Sequence, residues 1–226
     1  MNEARRIDLH VHTRFSVDSR IRIASLVEQV GIAGLHGFAL TDHNSVAGHP
    51  HLKEIALRYP RYTFVPGVEA STREGHVLLY GVSEAPPVHR PLAETLQWAE
   101  ARGAVAVLSH PLRWAHGVGR RLAETAPVHG IEAMNGHNGE VANAGAELIA
   151  ARRKVAETGG SDAHELPELG TAYTEFPEGT QSVDDVLEHL RRGQCRAAGR
   201  SLPPPQRLRL AVMTLARRAG RGFRPI

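Results

Sequence analysis

Asp8-Leu9-His10-Val11-His12-Thr13-Arg14-Phe15-Ser16-Val17-Asp18 is the stretch whose reading decides the fold. Ile7, Leu9 and Val11 alternate with Asp8, His10 and His12. A β-strand with that period points both imidazoles to one side, roughly 6–7 Å apart along the chain. Such a pair can grip one metal ion. In a chain with 14 histidines it also arises by chance, and an alternating strand can simply show a polar face to water. The pair gains weight only from the rest of the chain.

Further acidic or imidazole clusters lie downstream, most of them after a short apolar run. Phe38-Ala39-Leu40-Thr41 leads into Asp42-His43, and Phe64-Val65-Pro66-Gly67-Val68 leads into Glu69. His76 opens Val77-Leu78-Leu79-Tyr80. Ala104-Val105-Ala106-Val107-Leu108-Ser109 ends in His110-Pro111, and Gly159-Gly160-Ser161 in Asp162-Ala163-His164. In an α/β barrel the carboxyl ends of successive strands converge on one face, so ligands scattered along the sequence become neighbours in space.

A chain of 226 residues, 42% hydrophobic and 23% charged, suffices for one barrel-sized domain with a full core. No apolar run approaches the roughly 20 residues of a membrane helix. The segment Met1-Asn2-Glu3-Ala4-Arg5-Arg6 carries no signal-peptide core, so a cytoplasmic location is expected. Cys195 is the single cysteine, which excludes an intrachain disulfide and leaves nitrogen and oxygen as the metal donors. The net charge of +3 is unevenly spread. Eight arginines (196, 200, 207, 209, 217, 218, 221, 224) and no acid follow Cys195, leaving 19 basic against 24 acidic residues before it. An acidic body suits a cation site, because clustered carboxylates need a neutralising charge.

Periodicity and turn residues predict helices over 23–30, 45–58 with an interruption at 48–51, 91–102, 141–153 and 183–192, with Val183, Val186, Leu187 and Leu190 inward in the last. Strands are predicted over 37–41, 62–68, 76–82, 104–109 and 130–134, a short one at 155–158, and an extra one at 173–176. After Leu202-Pro203-Pro204-Pro205 a last helix runs from Gln206 to Arg218. Leu208, Val212, Leu215 and Ala219 share a face, and the expectation is that this stripe docks while the arginines stay solvated. The division expected is 1–194 as barrel and 195–226 as a basic tail packed on it.

Together, D-L-H-V-H-T, F-S-V-D-S, L-T-D-H-N, P-G-V-E, G-H-V-L-L-Y, S-H-P and G-S-D-A-H resemble the PHP family, the polymerase and histidinol phosphatase domains. The likeness runs from about Ile7 to Tyr173. It implies a distorted (β/α)7 TIM-like barrel holding two or three divalent metals at its carboxyl-terminal face. By this resemblance His10, His12, Glu69 and Asp162 hold the first metal, and Glu69 bridges to a second completed by His76 and His110. Asp18, His43 and His164 hold a third. Imidazole and carboxylate donors suit Mn, Zn or Fe alike. A bridging carboxylate screens two cations about 3.5–4 Å apart, and a shared hydroxide is the expected nucleophile. Glu69, Asp162, His43 and His164 are thus the candidate catalytic residues.

Arg113, Asn44, Asn135 and Asn138 follow predicted strand ends and are, with His137, the candidates for contacting substrate, Arg113 foremost because a guanidinium offers paired donors to phosphate. His137 lies near Asn135 and could protonate a leaving oxygen. Asp42 is expected to orient an imidazole. His36, His49, His51, His89, His116, His129 and His189 are expected at surface or packing positions.

The expected activity is metal-dependent hydrolysis of a small phosphate ester or nucleotide. Two alternatives stand beside it: a metal-holding scaffold acting through the arginine tail, and hydrolysis of a non-phosphate bond. Binding of nucleic acid through the tail is a lesser expectation, since no polymerase or helix-hairpin-helix module accompanies the barrel. The short connection from Tyr80 to Ala104 also leaves no room for the helical insertion of nucleotide-hydrolysing relatives.

Overall fold

A computed structural model describes residues 4–220, so Arg221 and Arg224 of the basic tail lie outside the described residues. The strands are β1 (Arg5–Val11), β2 (Gly37–Leu40), β3 (Thr63–Ser71), β4 (His76–Tyr80), β5 (Val105–Leu108), β6 (Gly130–Asn135), β7 (Ala156–Gly160), β8 (Ala172–Phe176) and β9 (Arg196–Gly199). The helices are α1 (Ile23–Ile32), α2 (His49–Arg58), α3 (Leu92–Glu100), α4 (Arg120–Thr125), α5 (Glu140–Arg153), α6 (Val183–Arg192) and α7 (Pro204–Gly220). The strands form one sheet in the order β7-β6-β5-β4-β3-β2-β1-β8-β9. Just past β7 the chain bonds to β1, Asp162 N–H donating to His10 O at 2.8 Å and His12 N–H to Ala163 O at 3.0 Å, so the sheet curls into a nearly closed barrel.

Among the described residues four neighbouring pairs are parallel, β1–β2, β2–β3, β5–β6 and β6–β7, and four are antiparallel, β1–β8, β3–β4, β4–β5 and β8–β9. Only residues 72–75 separate β3 from β4, too few for a parallel crossover, and β4 runs antiparallel to both β3 and β5. His76 was read from sequence as opening its strand, and it does. His76 comes from the amino end of β4, paired with Ser71 at the far end of β3, and still faces the same end of the barrel.

Ile7, Leu9, Ala39, Val65, Leu78, Tyr80, Val105 and Val107 form one buried cluster with Val186, Leu187 and Leu190 of α6. Inside it the Tyr80 hydroxyl donates to Leu9 O at 2.8 Å. A capping box starts α6, the Ser182 hydroxyl accepting from Asp185 N–H and the Asp185 carboxylate accepting from Ser182 N–H. Two other clusters pack α1 with α2, and α3 with α5, against the strands.

Several boundaries differ from the sequence reading. Gly-His-Pro-His at 48–51 starts α2 rather than interrupting it, because Pro50 stands in the first turn, where its missing N–H is not needed. α4 and β9 carry too little periodicity to be read from sequence. β9 pairs antiparallel with β8, so the start of the basic segment belongs to the sheet. β7 takes in both Gly159 and Gly160 for a reason of space. A Cβ on Gly160 would stand 2.3 Å from that of His10, and one on Gly159 would stand 2.2 Å from Tyr173 O.

The largest correction concerns α7. Leu208, Val212 and Leu215 are exposed, and the face turned to the barrel carries Arg207, Leu210, Met213 and Arg217. Among the described residues no helix is long and apolar enough to cross a membrane.

Candidate metal centre

The nine imidazoles and carboxylates picked from sequence come together at one end of the barrel, around Glu69. Glu69 Oε2 lies 3.2 Å from His10 Nε2, 3.2 Å from His12 Nε2 and 3.0 Å from His43 Nδ1. Its Oε1 lies 3.0 Å from both His76 Nδ1 and His110 Nε2, and accepts the Ser109 hydroxyl at 2.7 Å. Asp162 Oδ1 is 3.5 Å from His10 Nε2 and 3.2 Å from His12 Nε2. A third group forms at Asp18, whose Oδ2 is 3.3 Å from His43 Nε2 and 3.4 Å from His164 Nε2. His43 therefore presents one ring nitrogen to Glu69 and the other to Asp18.

These residues fit divalent cations. Donors bound tetrahedrally at about 2.1 Å stand about 3.4 Å from one another, close to the spacing seen here. The His10 and His12 Nε2 atoms approach to 3.0 Å, where two lone pairs repel unless a cation or proton lies between them. Glu69 Oε2 is buried and accepts no hydrogen bond among the described residues. Four sets of three or more side chains bring their donor atoms within 4.8 Å of one another: His12, Asp18, His43 and His164; His10, His12 and Glu69; His43, Glu69 and His76; His137, His164 and Glu168.

Electrostatics point the same way. Burial disfavours charge on His12, but Asp162 and Glu69 outweigh it and lift the imidazole to about 10. Burial would raise Glu69 and Asp162, yet the surrounding imidazoles, joined at Asp162 by Arg113, hold both well below the carboxylate range. Burial together with Arg113 pushes His110 down to about 3, leaving a neutral ring with a lone pair to donate. Anionic carboxylates beside rings that would hold protons describe a centre in which metal ions displace those protons.

The backbone bends to deliver these groups. His110 and Asp162 stand two residues past the ends of β5 and β7 with φ of +29° and +59°, and Asn44, beside His43, has φ of +52°. Non-glycine residues seldom adopt this region, and the surrounding hydrogen bonds must hold them there.

The supporting groups differ in part from the sequence reading. Asp42 orients no imidazole: Oδ1 accepts Thr13 N–H at 2.6 Å and Oδ2 accepts the Thr13 hydroxyl at 2.7 Å, which pins the loop after β1. That orienting role falls to Glu132, which sequence reading treated as an ordinary strand residue. Glu132 Oε1 takes His10 Nδ1 at 2.8 Å, fixing Nε2 as the free donor, and Oε2 accepts His110 N–H at 2.7 Å. A lone acid inside a predicted strand was the available signal. Asp8 was also missed as a support; it accepts the N–H groups of His10, Ser161 and Gly170 across the seam between β1 and the end of β7.

Among the substrate candidates, Arg113 donates Nη2 to Asp162 Oδ2 at 2.8 Å and to Asn135 Oδ1 at 2.6 Å, and Nε to Asn138 Oδ1 at 2.8 Å. Asn135 gives its amide to Glu132 and Asp162 and so braces Arg113. His137 Nε2 meets Glu168 at 3.1 Å. Asn44 is spent on Ser71, bonding its N–H and its hydroxyl, and ties the loop after β2 to the end of β3. His116, expected at a surface or packing position, is exposed and stacks on His76 at 4.8 Å between centroids. The centre opens into a cavity of about 520 Å³ lined by Arg113, His116 and His137 together with Arg207, Leu210 and Ala211 of α7.

A nearly closed α/β barrel with buried imidazoles and carboxylates spaced for cations defines a metal-dependent hydrolase. Residues 8–103 match the PHP domain and residues 140–195 match its PHP-associated segment, more than half of the chain between them. The chain belongs to the PHP family.

An uncharacterised protein of Methanocaldococcus jannaschii is 28% identical over 192 residues, 80% of this chain and 75% of that protein. Among solved structures, PsfC from Pseudomonas syringae superimposes with a TM-score of 0.70 at 21% identity, covering 97% of this chain and 99% of its own. An amidohydrolase from Chromobacterium violaceum aligns at 0.60 and 19%, covering 73% and 89%. A protein assigned as a metal-dependent phosphoesterase from Bifidobacterium adolescentis aligns at 0.60 and 20%, covering 85% and 98%. At these identities the structural likeness is one of fold.

Proposed function

We propose that this chain hydrolyses phosphate monoesters of small molecules, using two or three divalent ions (Mn, Zn or Fe) held by His10, His12, Asp18, His43, Glu69, His76, His110, Asp162 and His164. The observation that carries this reading is Glu69: one buried carboxylate has three imidazoles against one oxygen and two against the other, at the floor of a cavity that also admits the Arg113 guanidinium. The assignment of the Bifidobacterium neighbour as a phosphoesterase supports the same substrate chemistry.

When bound, divalent ions supply positive charge to phosphoryl oxygens and lower the pKa of water from about 15.7 toward 7. The protein's own groups do the positioning. Glu132 locks the His10 tautomer, and Arg113 holds the outer oxygen of Asp162 so that Oδ1 faces His10 and His12. Held by Asp162, Asn135 and Asn138, the guanidinium of Arg113 is preorganised to meet a phosphoryl oxygen. His137, oriented by Glu168, lines the same cavity and is placed to give a proton to the leaving oxygen.

The test is metal content by elemental analysis together with turnover of p-nitrophenyl phosphate and a small nucleotide panel with Mn added. Two to three equivalents of metal, with turnover abolished in Asp162→Asn, is the expected result. Metal without hydrolysis of any ester, alongside hydrolysis of amides, would overturn the phosphate reading.

A further inference from the structure

The arginine helix α7 does not pack as an inert terminal helix; it lies across the mouth of the metal centre. Arg217 Nη1 donates to Asp18 O at 3.1 Å, its Nη2 pairs with Glu165, and its side chain is only 12% exposed. The helix is thereby latched to the backbone of one candidate ligand and to the residue following another. One turn and more away, Leu210 is buried, and Leu210 and Ala211 wall the cavity.

Arg207 stands apart from the other arginine on this inward face. It lines the same cavity, yet among the described residues its side chain has neither an ion pair nor a hydrogen bond, and its Nε is buried without a partner. Its position is nonetheless defined. Nη1 lies 3.0 Å from where a Cβ of Gly139 would be, so the guanidinium rests against Gly139, next to the Asn138 that holds Arg113. Two guanidiniums thus converge on adjacent residues at one side of the cavity. Arg113 is neutralised by Asp162 and Arg207 by nothing described. A half-buried cation without an anion, facing a ligand-sized cavity, calls for the anion to come from the ligand.

We propose that α7 is the roof of the catalytic chamber, and that it selects small substrates carrying a second anionic group, which Arg207 binds while the ester to be cleaved lies over the metal centre. The inference rests on the phosphate-ester reading above and adds to it the class of substrate. The cavity beneath the helix, about 520 Å³, has room for a small bisphosphate or phosphorylated acid.

The experiment uses the full-length, metal-loaded protein and α,ω-alkanediol bisphosphates with spacers of two to four carbons, each paired with its alkyl monophosphate. Binding of the matching bisphosphonates and monophosphonates is followed by calorimetry. The expected result is a preference of at least 10-fold in kcat/KM and in affinity for the doubly anionic member of a pair. Arg207→Ala should reduce that preference to near unity, Arg207→Lys should restore part of it, and the exposed Arg209→Ala should leave it intact. Equal treatment of mono- and dianionic ligands by the wild type overturns the proposal, as does a preference that survives Arg207→Ala. The calorimetric arm keeps the two readings apart. Preferential bisphosphonate binding without ester hydrolysis would sink the phosphoesterase reading alone, whereas hydrolysis without preference would sink only the role of Arg207.

Discussion

The metal centre and the helix that covers it are built on opposite logic. At the centre, strands fix the side chains: β1, β3 and β4 direct alternate residues to defined faces, and a shift of one residue would turn His10 and His12 away from Glu69. On α7 the composition offers two stripes, Leu208-Val212-Leu215 and Arg207-Leu210-Arg217, and nothing along the chain says which is buried. The apolar stripe is the obvious choice from hydrophobicity, and the structure takes the other. Arg217 finds a backbone carbonyl and Glu165 at the rim, and the long stem of an arginine covers apolar surface while its head stays polar. Periodicity locates a helix well, but it assigns the inward face only where the surface beneath is apolar.

The contrast is broken most forcefully at Glu69 and Asp162. Asp162→Asn should lower turnover of p-nitrophenyl phosphate by about 10³-fold or more, since it removes charge at the reacting centre. Glu69→Gln should lose more than one equivalent of metal by elemental analysis, because both of its oxygens are shared among imidazoles. Full metal content in that variant would falsify the bridging role.

Chelation comes next in size. Removing metal from the purified protein should lower the melting temperature, and restoring it at about 100 times Kd should return about 2.7 kcal/mol, seen as a rise of about 5–10 °C by calorimetry. A melting temperature indifferent to Mn and Zn alike would contradict a cation-binding core.

Two buried acids then separate support of a ligand from support of a loop. Glu132→Gln should weaken metal binding by about 10- to 100-fold in a competition assay with a fluorescent chelator, because Glu132 fixes His10. Asp42→Asn should change it far less, since its oxygens serve Thr13. Equal effects from the two would mean that loop order, not the His10 tautomer, sets the affinity.

The smallest effects concern the faces of α7. Leu210→Ala should cost about 2 kcal/mol in chemical unfolding and speed amide exchange along the helix. Leu208→Ala should stay within about 0.5 kcal/mol, because its side chain is already in water. The reverse ranking would show that the helix docks by its leucine stripe after all.

Much of the site was legible because its donors follow apolar runs, and residues at strand ends in a barrel share one face. The supports were less legible. Glu132 reads as a stray charge in a strand until His10, 122 residues earlier in the chain, is found beside it. Asp42 reads as a partner of its neighbour His43 until its bonds to Thr13 are seen. Asn44 has the residue type of a substrate contact, but its amide is taken by Ser71. In each case the residue type was informative and its partner lay far along the chain.

By itself the sequence determined the α/β class, the strand and helix periods, and the set of imidazoles and carboxylates from which a metal centre is made, because these depend on local spacing and on residue chemistry. Only the tertiary structure decided that β4 runs antiparallel, that Gly160 must lack a side chain for β7 to meet His10, that Glu132 rather than Asp42 orients an imidazole, and that α7 turns Arg207 and Arg217 toward the centre. These outcomes depend on which distant groups share a dry space, where each polar atom must find a partner, and that pairing is a property of the packed molecule.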